Sequence, residues 1–301
     1  MVTQPSASLR GGELRQLWAT IGHRFTDFSF GQIGVDTVVT LMRCGSCGFR
    51  YFNPAFAGGG QFYAELGGED YYVQERPEFS RMHAILAKAQ EAGRVLDIGC
   101  GDGAFLDKCR LIGWSTFGTE LNSGAAERAS AKGHSVLDGT LAKLGERAEA
   151  GSFDAVTAFQ VFEHVPDPVR MLNTCRTLVK PGGLIAMSVP FESGVYKLAP
   201  LDPHQWPPHH LSRWRKADLR TLGRLANVQV LSVVADVLYG SALEYFLKLS
   251  QGLEQAINSP HRLLTRPFVP EIASLLYRKT GMKYLLPRWG QSVFALFRRS
   301  S

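Results

Sequence analysis

Between residues 79 and 238, short runs of consecutive apolar residues alternate with longer stretches whose apolar residues recur every three or four positions. Phe79 to Ala92 puts Met82, Ile85, Leu86 and Ala89 on one face and predicts a helix. Arg94 to Ile98 reads as a buried strand, Ala104 to Ile112 as a helix and Ser115 to Glu120 as a second strand. Gly124 to Lys132 is again helical, Ser135 to Leu137 a short third strand and Phe153 to Phe159 a fourth. Pro168 to Val179 predicts a helix, Lys180-Pro181-Gly182-Gly183 a turn by composition, and Leu184 to Val189 a fifth strand. Lys216 to Leu225 reads as a helix, Val228 to Val237 as a sixth strand and Gln291 to Phe297 as a last one. Strands separated by helices predict an α/β fold, a doubly wound and mostly parallel sheet of seven strands.

This pattern divides the chain into an N-terminal extension, 1–78, and a domain, 79–301. About fifty residues separate the last two strands, far more than a hairpin needs. The insertion, 239–290, has helical periodicity at Leu243 to Ile257 and Pro270 to Arg278.

With 45% hydrophobic and 20% charged residues, the 301-residue chain has the composition of a soluble globule. No apolar run approaches the roughly 20 residues needed to span a bilayer. The first residues include Thr3, Gln4, Ser6, Ser8, Arg10 and Glu13, which is no hydrophobic signal core, so a cytoplasmic location is expected. The five cysteines are odd in number, and Cys100, Cys109 and Cys175 fall in segments that read as buried, which argues against a disulfide framework. The net charge of +6 is concentrated: Pro260 to Ser301 holds eight Lys or Arg against one acid, Glu271. Such a lobe is a solvated face, or it meets an anionic acceptor or surface. With Phe246, Leu247, Leu249, Leu253, Leu263, Leu264 and Phe268, it could dock peripherally on a membrane. Nucleic acid is not expected as a partner, because the basic residues lack interleaved aromatics.

Residues 95–106, Val-Leu-Asp-Ile-Gly-Cys-Gly-Asp-Gly-Ala-Phe-Leu, carry the strongest chemistry. Gly99, Gly101 and Gly103 follow a strand and open a helix, allowing a tight turn and close approach of a ligand to bare backbone. Spacing alone leaves the ligand open, since Gly99-x-Gly101-x-x-Ala104 also satisfies the alanine variant of the dinucleotide fingerprint. Asp97 narrows the choice, because a carboxylate two residues before the first glycine would pair with an ammonium and repel a pyrophosphate. Glu120, ending the second strand, is placed to accept hydrogen bonds from ribose hydroxyls. The block Gln160-Val161-Phe162-Glu163-His164-Val165-Pro166-Asp167-Pro168 has no counterpart in a dehydrogenase.

On these motifs the stretch 94–230 resembles a class I S-adenosylmethionine-dependent methyltransferase, in the group that includes the ubiquinone-biosynthesis O-methyltransferases. The resemblance implies a Rossmann-like sheet whose last strand is antiparallel, and S-adenosyl-L-methionine as cofactor. It implies that Asp97 and Gly99 hold the methionine end, Glu120 the ribose and Leu121 the adenine. Phe159 and Gln160 would line the same pocket, and Asp138 would stand on the adenine side. Some relatives use a Glu-His pair with an acid three residues earlier to hold a cation; here Gln160 stands in that place, and a neutral amide is a poorer ligand for Mg²⁺. His164 is then structural or faces the acceptor.

Asp202 to Trp214 holds three histidines and two tryptophans on a loop after the fifth strand, where open α/β sheets bind ligands. Its Pro-Pro-His-His-Leu-Ser-Arg-Trp run resembles the family's acceptor-side segment. Imidazole suits proton removal from a hydroxyl near neutral pH, which makes His209, His210 and His164 the candidate bases. Neighbouring loop residues usually point apart, so at most one of His209 and His210 is expected to act.

Arg43-Cys44-Gly45-Ser46-Cys47-Gly48 resembles half of a zinc ribbon. A structural zinc wants four ligands. Cys44, Cys47 and His23, the sole upstream candidate, make three at best, so the expectation is a knuckle kept without its metal. The resulting expectation is O-methylation of a small hydroxylated acceptor. The alternatives are C- or N-methylation of a sugar or other metabolite, or a protein that binds S-adenosylmethionine without turnover.

Overall fold

The computed structural model describes residues 3–66, 72, 74–89, 91–138, 150–236 and 290–300. The expected helices at 243–257 and 270–278, and the body of the basic segment, lie outside the described residues. In chain order the elements are β1 (Thr3–Arg10), α1 (Gly11–Thr20), β2 (Val38–Cys44), β3 (Arg50–Tyr51), α2 (Gly60–Leu66), α3 (Pro77–Leu86), β4 (Arg94–Ile98), α4 (Ala104–Leu111) and β5 (Ser115–Glu120). They continue with α5 (Ser123–Ala131), β6 (Ser135–Asp138), β7 (Phe153–Phe159), α6 (Pro168–Leu178), β8 (Val179–Pro190), β9 (Ser212–Arg213), α7 (Lys216–Leu225), β10 (Val228–Ala235) and β11 (Ser292–Arg299). The chain divides into two compact units, one from Met1–Phe62, Pro190–Asp218 and Ala235–Val293, the other from Tyr63–Val189, Leu219–Val234 and Phe294–Ser301.

The second unit is built on the expected seven-stranded, mostly parallel sheet, in the order β10-β11-β8-β7-β4-β5-β6. From β4 the chain runs outward through β5 and β6, then returns to β7 and β8 on the other side. All four of these neighbouring pairs are parallel. The order therefore reverses between β4 and β7, and in such sheets the crevice for a ligand opens at the carboxyl ends flanking that point.

Helices cover this sheet because each carries an apolar stripe. Phe79, Met82 and Leu86 of α3 join Ala104, Phe105, Leu106 and Cys109 of α4 over Val95, Ala155, Ala186 and Phe294. Phe105 meets Phe159 edge-on at 5.0 Å between centroids and Phe79 at 5.7 Å. Truncating a fully buried Phe of this kind costs about 3–5 kcal/mol. Side-chain caps fix two helix starts: Asn122 Oδ1 accepts from Ala125 N–H at 3.1 Å, and Asp167 Oδ1 accepts from Arg170 N–H at 2.9 Å.

Two expectations need correction. The helix α3 stops at Leu86 rather than Ala92, because the amides of Lys88 and Ala89 donate only three residues back, to Ile85 and Leu86, and tighten the chain out of the α-helix. Lys180–Gly183 is not a separate turn but lies within β8. Val179 stands opposite Phe153 and Leu184 opposite Ala155, so four residues bulge out against Asp154 alone. Gly182 takes a left-handed φ of 77° there, and Lys180 Nζ pairs with Asp154 Oδ1 at 2.7 Å.

The first unit holds a four-stranded antiparallel sheet, β1-β2-β3-β9. α1 buries Leu14, Leu17 and Trp18. Among the described residues, no helix is long and apolar enough to cross a membrane.

Candidate functional site

At the switch point of the seven-stranded sheet, β4 ends in Asp97-Ile98 and the chain turns through Gly99, Gly101 and Gly103, with φ of 71°, 55° and 86°. All three angles are left-handed, which a side chain resists and glycine does not. Close packing adds a second constraint. A Cβ on Gly99 would lie 2.7 Å from Val161 Cγ2, and one on Gly101 2.7 Å from the Tyr72 ring.

Four of the turn's amides are committed. Gly99 and Cys100 donate to Thr119 O at 2.8 and 3.0 Å, Gly103 to Cys100 O at 3.0 Å, and Gly101 to Glu120 Oε2 at 2.9 Å. The turn presents bare glycine surface between two carboxylates, Asp97 and Glu120, whose charge would repel a pyrophosphate and so disfavours the dinucleotide reading of the fingerprint.

Asp97 is buried at 3% exposure. Its register partner on β7 is Thr157, whose hydroxyl donates to Asp97 Oδ1 at 2.7 Å. Burial pushes the carboxyl up to about 7, the Glu120 charge adds to the rise, and the Thr157 bond opposes it. Among the described residues, no cation pairs with this carboxylate. Glu120 is held by three backbone N–H groups, those of Gly101, Leu121 and Asn122, the last two at 2.8 and 2.9 Å from Oε1. Leu121 follows with its side chain 53% exposed, and Asp138 pairs with Glu120 in register on β6.

Phe159 ends β7 with its ring turned into the core against Phe79, Phe105 and Phe294. Gln160 has an unusual positive φ of 56°. Its amide Nε2 donates to Glu78 Oε1 at 3.2 Å and to Ser188 Oγ at 3.1 Å, while Ser188 donates to the same Glu78 oxygen at 2.9 Å. Holding a non-glycine residue in that region costs of order 1–3 kcal/mol, a strain that concentrates at binding sites. Glu163 is buried, and burial pushes its carboxyl up to about 8 against the pull of Arg76. His164 Nε2 lies 3.7 Å from Glu163 Oε1, and His164 Nδ1 is 3.0 Å from the Tyr63 hydroxyl.

The histidine-rich loop belongs to the first unit. Asp202 Oδ1 accepts from His204 N–H and lies 2.9 Å from His204 Nδ1. Trp206 and Trp214 are buried and donate to Pro200 O and Ser212 Oγ. The imidazoles of His209 and His210 do not point apart: both are buried and stack at 4.4 Å with 18° between planes, because both backbone amides fold back onto Trp206 O. His209 Nδ1 is 3.0 Å from His204 O, an acceptor, so Nδ1 carries the hydrogen and Nε2 the lone pair.

The trio Cys44, Cys47 and His23 is not brought together. His23 packs on Trp18 and Phe25 instead, at 5.6 and 6.0 Å, and among the described residues no third metal-ligating side chain joins the cysteines.

A carboxylate-flanked glycine turn at the reversal of such a sheet defines the class I S-adenosylmethionine-dependent methyltransferases. Residues 71–233 match the family model described as a methyltransferase domain, and the chain belongs to that family. It is similar to the ubiquinone biosynthesis O-methyltransferase of Paraburkholderia phymatum, 38% identical over 102 residues, which cover 32% of this chain and 43% of that protein. The like-named protein of Ralstonia nicotianae is 38% identical over 116 residues, 36% of this chain and 48% of that one. The chain thus spans less than half the length of these curated relatives. In fold it is similar to a solved SAM-dependent methyltransferase from Archaeoglobus fulgidus, with a TM-score of 0.50 at 16% identity over 73% of this chain and 92% of that one. The residues fit S-adenosylmethionine: the buried, cation-seeking Asp97 and the glycine surface that a Cβ would fill are what its ammonium and its close approach require.

Proposed function

We propose that this chain methylates a hydroxyl oxygen of a small-molecule acceptor, using S-adenosyl-L-methionine. The observation that carries the reading is Asp97, a buried carboxylate at the switch point beside a glycine turn whose bare surface a Cβ would fill. The O-methyltransferase names of the relatives support the choice of oxygen.

In this reading Asp97 ionises and pairs with the ammonium of the methionine end, Gly99 and Gly101 admit it, and Glu120 accepts from the ribose hydroxyls. Leu121 offers its exposed side chain to the adenine, Asp138 is assigned to the adenine side, and the pocket wall is assigned to Gln160 and the backbone at Phe159, whose ring is in the core. When bound, the cofactor supplies a methyl group on a positively charged sulfur. The protein orients the acceptor and takes its proton. His164 is the base: with Nδ1–H donated to the Tyr63 hydroxyl, Nε2 accepts the proton, and the Glu163 carboxyl lies 3.7 Å from that same nitrogen. His209 is a second candidate because its tautomer is fixed with the lone pair on Nε2, and His210 is its stacked neighbour.

Calorimetric titration with S-adenosylmethionine and with NAD tests the cofactor. Tight binding of NAD without S-adenosylmethionine sinks the reading. Turnover on a panel of phenols, sugars and lipids tests the reaction: methyl on carbon or nitrogen overturns the choice of oxygen, and binding without any product makes the chain a non-catalytic binder. We also propose a cytoplasmic location with the basic segment, Pro260 to Ser301, meeting an anionic acceptor or membrane surface. Flotation with anionic liposomes, unchanged when Arg262, Arg266, Lys279 and Lys283 become Glu, would refute the membrane part.

A further inference from the structure

The sheet of the first unit sets two arginines side by side. Arg50 on β3 and Arg213 on β9 are register partners across an antiparallel pair, so both side chains stand on one face. Like charges directly opposite each other destabilise a sheet, and anions have to answer them. Two carboxylates act on Arg213 through their charge, Glu192 and Asp202, and both are buried. Each is committed elsewhere. Glu192 pairs with Arg50. Asp202 Oδ1 accepts from His204 N–H at 3.1 Å and lies 2.9 Å from His204 Nδ1.

Arg213 is left without a counterion: among the described residues, no carboxylate forms an ion pair with it. Its guanidinium lies over the rings of Trp206 and Phe52, 5.2 and 5.8 Å from their centroids. Its side-chain hydrogen bond among the described residues is a long one, from Nη2 to Gln205 O at 3.4 Å. Nε is buried and has no acceptor among them. Nε and Nη2 share one edge of the guanidinium, and two parallel N–H bonds from such an edge match two oxygens of a carboxylate or phosphate. Gln205 is buried at 5% exposure, and its side-chain Nε2 also has no acceptor among the described residues. Two neighbouring residues thus hold buried donors without acceptors, one of them charged, and the fold itself does not return that cost.

We propose that Arg213 and Gln205 form a binding site for the oxyanion of a small molecule, a carboxylate or a phosphate group. The Nε–Nη2 edge of Arg213 takes two oxygens of the anion in parallel, and Gln205 Nε2 donates to the same group. Arg50 stays with Glu192 and adds its charge from the facing strand. The site is built from the first unit alone. It goes beyond the methyl-transfer reading, because it requires neither S-adenosylmethionine nor a hydroxyl on the ligand.

The test is calorimetric titration of the full chain without S-adenosylmethionine, at constant ionic strength, with inorganic phosphate and benzoate as separate probes. Saturable binding of either is expected, and the tighter probe identifies the class of anion. Arg213→Lys keeps the charge but loses the fork, and should weaken that binding about tenfold. Arg213→Met should abolish it. Because this change also removes a buried charge that has no counterion, the ligand-free variant should melt no lower than wild type. Wild type that saturates with neither probe overturns the proposal, with no variant needed. An Arg213→Met chain that melts lower yet binds the probe as tightly as wild type also overturns it, and assigns Arg213 to the fold alone.

Discussion

Asp97 and Thr157 stand in register on the parallel strands β4 and β7, and the threonine hydroxyl reaches the carboxylate at 2.7 Å in a site closed to water. A single neutral donor does not compensate a buried charge, so the carboxyl titrates near 7 until a cation arrives.

Cofactor affinity should follow that titration. Below about pH 7 the free protein holds Asp97 protonated, so S-adenosylmethionine binding strengthens as pH rises through 7 and then levels off. Asp97→Asn should weaken binding at least about thirtyfold, since truncating one partner of a desolvated charge pair costs roughly 2–5 kcal/mol. Thr157→Val should move the rise to higher pH. Calorimetry across the pH range checks all three, and a flat wild-type profile would contradict the assignment.

The cofactor-free protein should show the opposite trend in stability. Asp97 and Glu163 titrate near 7 and 8 when folded but near 3.9 and 4.3 when unfolded. The folded state therefore binds more protons in between, and the contribution of these groups falls as pH rises from about 4 to about 8. Thermal melts of wild type and of Asp97→Asn/Glu163→Gln should diverge in slope over that window. Parallel curves would rule the effect out.

Gly101→Ala combines a disfavoured φ of 55° with a Cβ 2.7 Å from the Tyr72 ring. Loss of measurable cofactor binding is expected, with destabilisation of about 1–3 kcal/mol. Tyr72→Ala in the same chain should recover part of the stability by removing the clash, and no recovery would mean that strain alone is responsible.

If His164 takes the acceptor's proton, His164→Ala should lower kcat about 10²–10⁴-fold while leaving cofactor affinity intact. Tyr63→Phe should cost less and shift the pH–rate profile, because it frees the imidazole's tautomer. His209→Ala with the larger loss would transfer the role to the histidine loop of the first unit.

The strands around the turn were legible because each is an apolar run flanked by turn residues, and the acid at the end of β4 sits at a fixed offset from its glycines. The residues that complete the site were not. Thr157 acts on Asp97 across 60 positions, Glu78 on Ser188 across 110, and Tyr63 on His164 across 101, and no local period encodes such pairings. Thr157 and Ser188 left a trace, each as a polar residue inside an apolar run, of β7 and of β8. The misread at Lys180–Gly183 has a different cause: turn composition marks residues that leave the ladder, and a bulge satisfies it as well as a turn does. The stacking of His209 on His210 was hidden by the return of both amides to Trp206 O.

That bulge sits where β8 begins, whereas the glycine turn and Gln160 lie at the strands' other ends. Gly182 has open space around it, with no atom within 4 Å of where a Cβ would stand. Chain length is thus free to vary there while the pairing of Leu184 to Ser188 with β7 stays in step. A short flexible peptide spliced in at Gly182 should leave cofactor affinity unchanged, since lengthening an existing loop costs only about 0.6 kcal/mol per doubling. A reporter tag could be carried at that position, and lost affinity in such a chain would show that the bulge is coupled to the site after all.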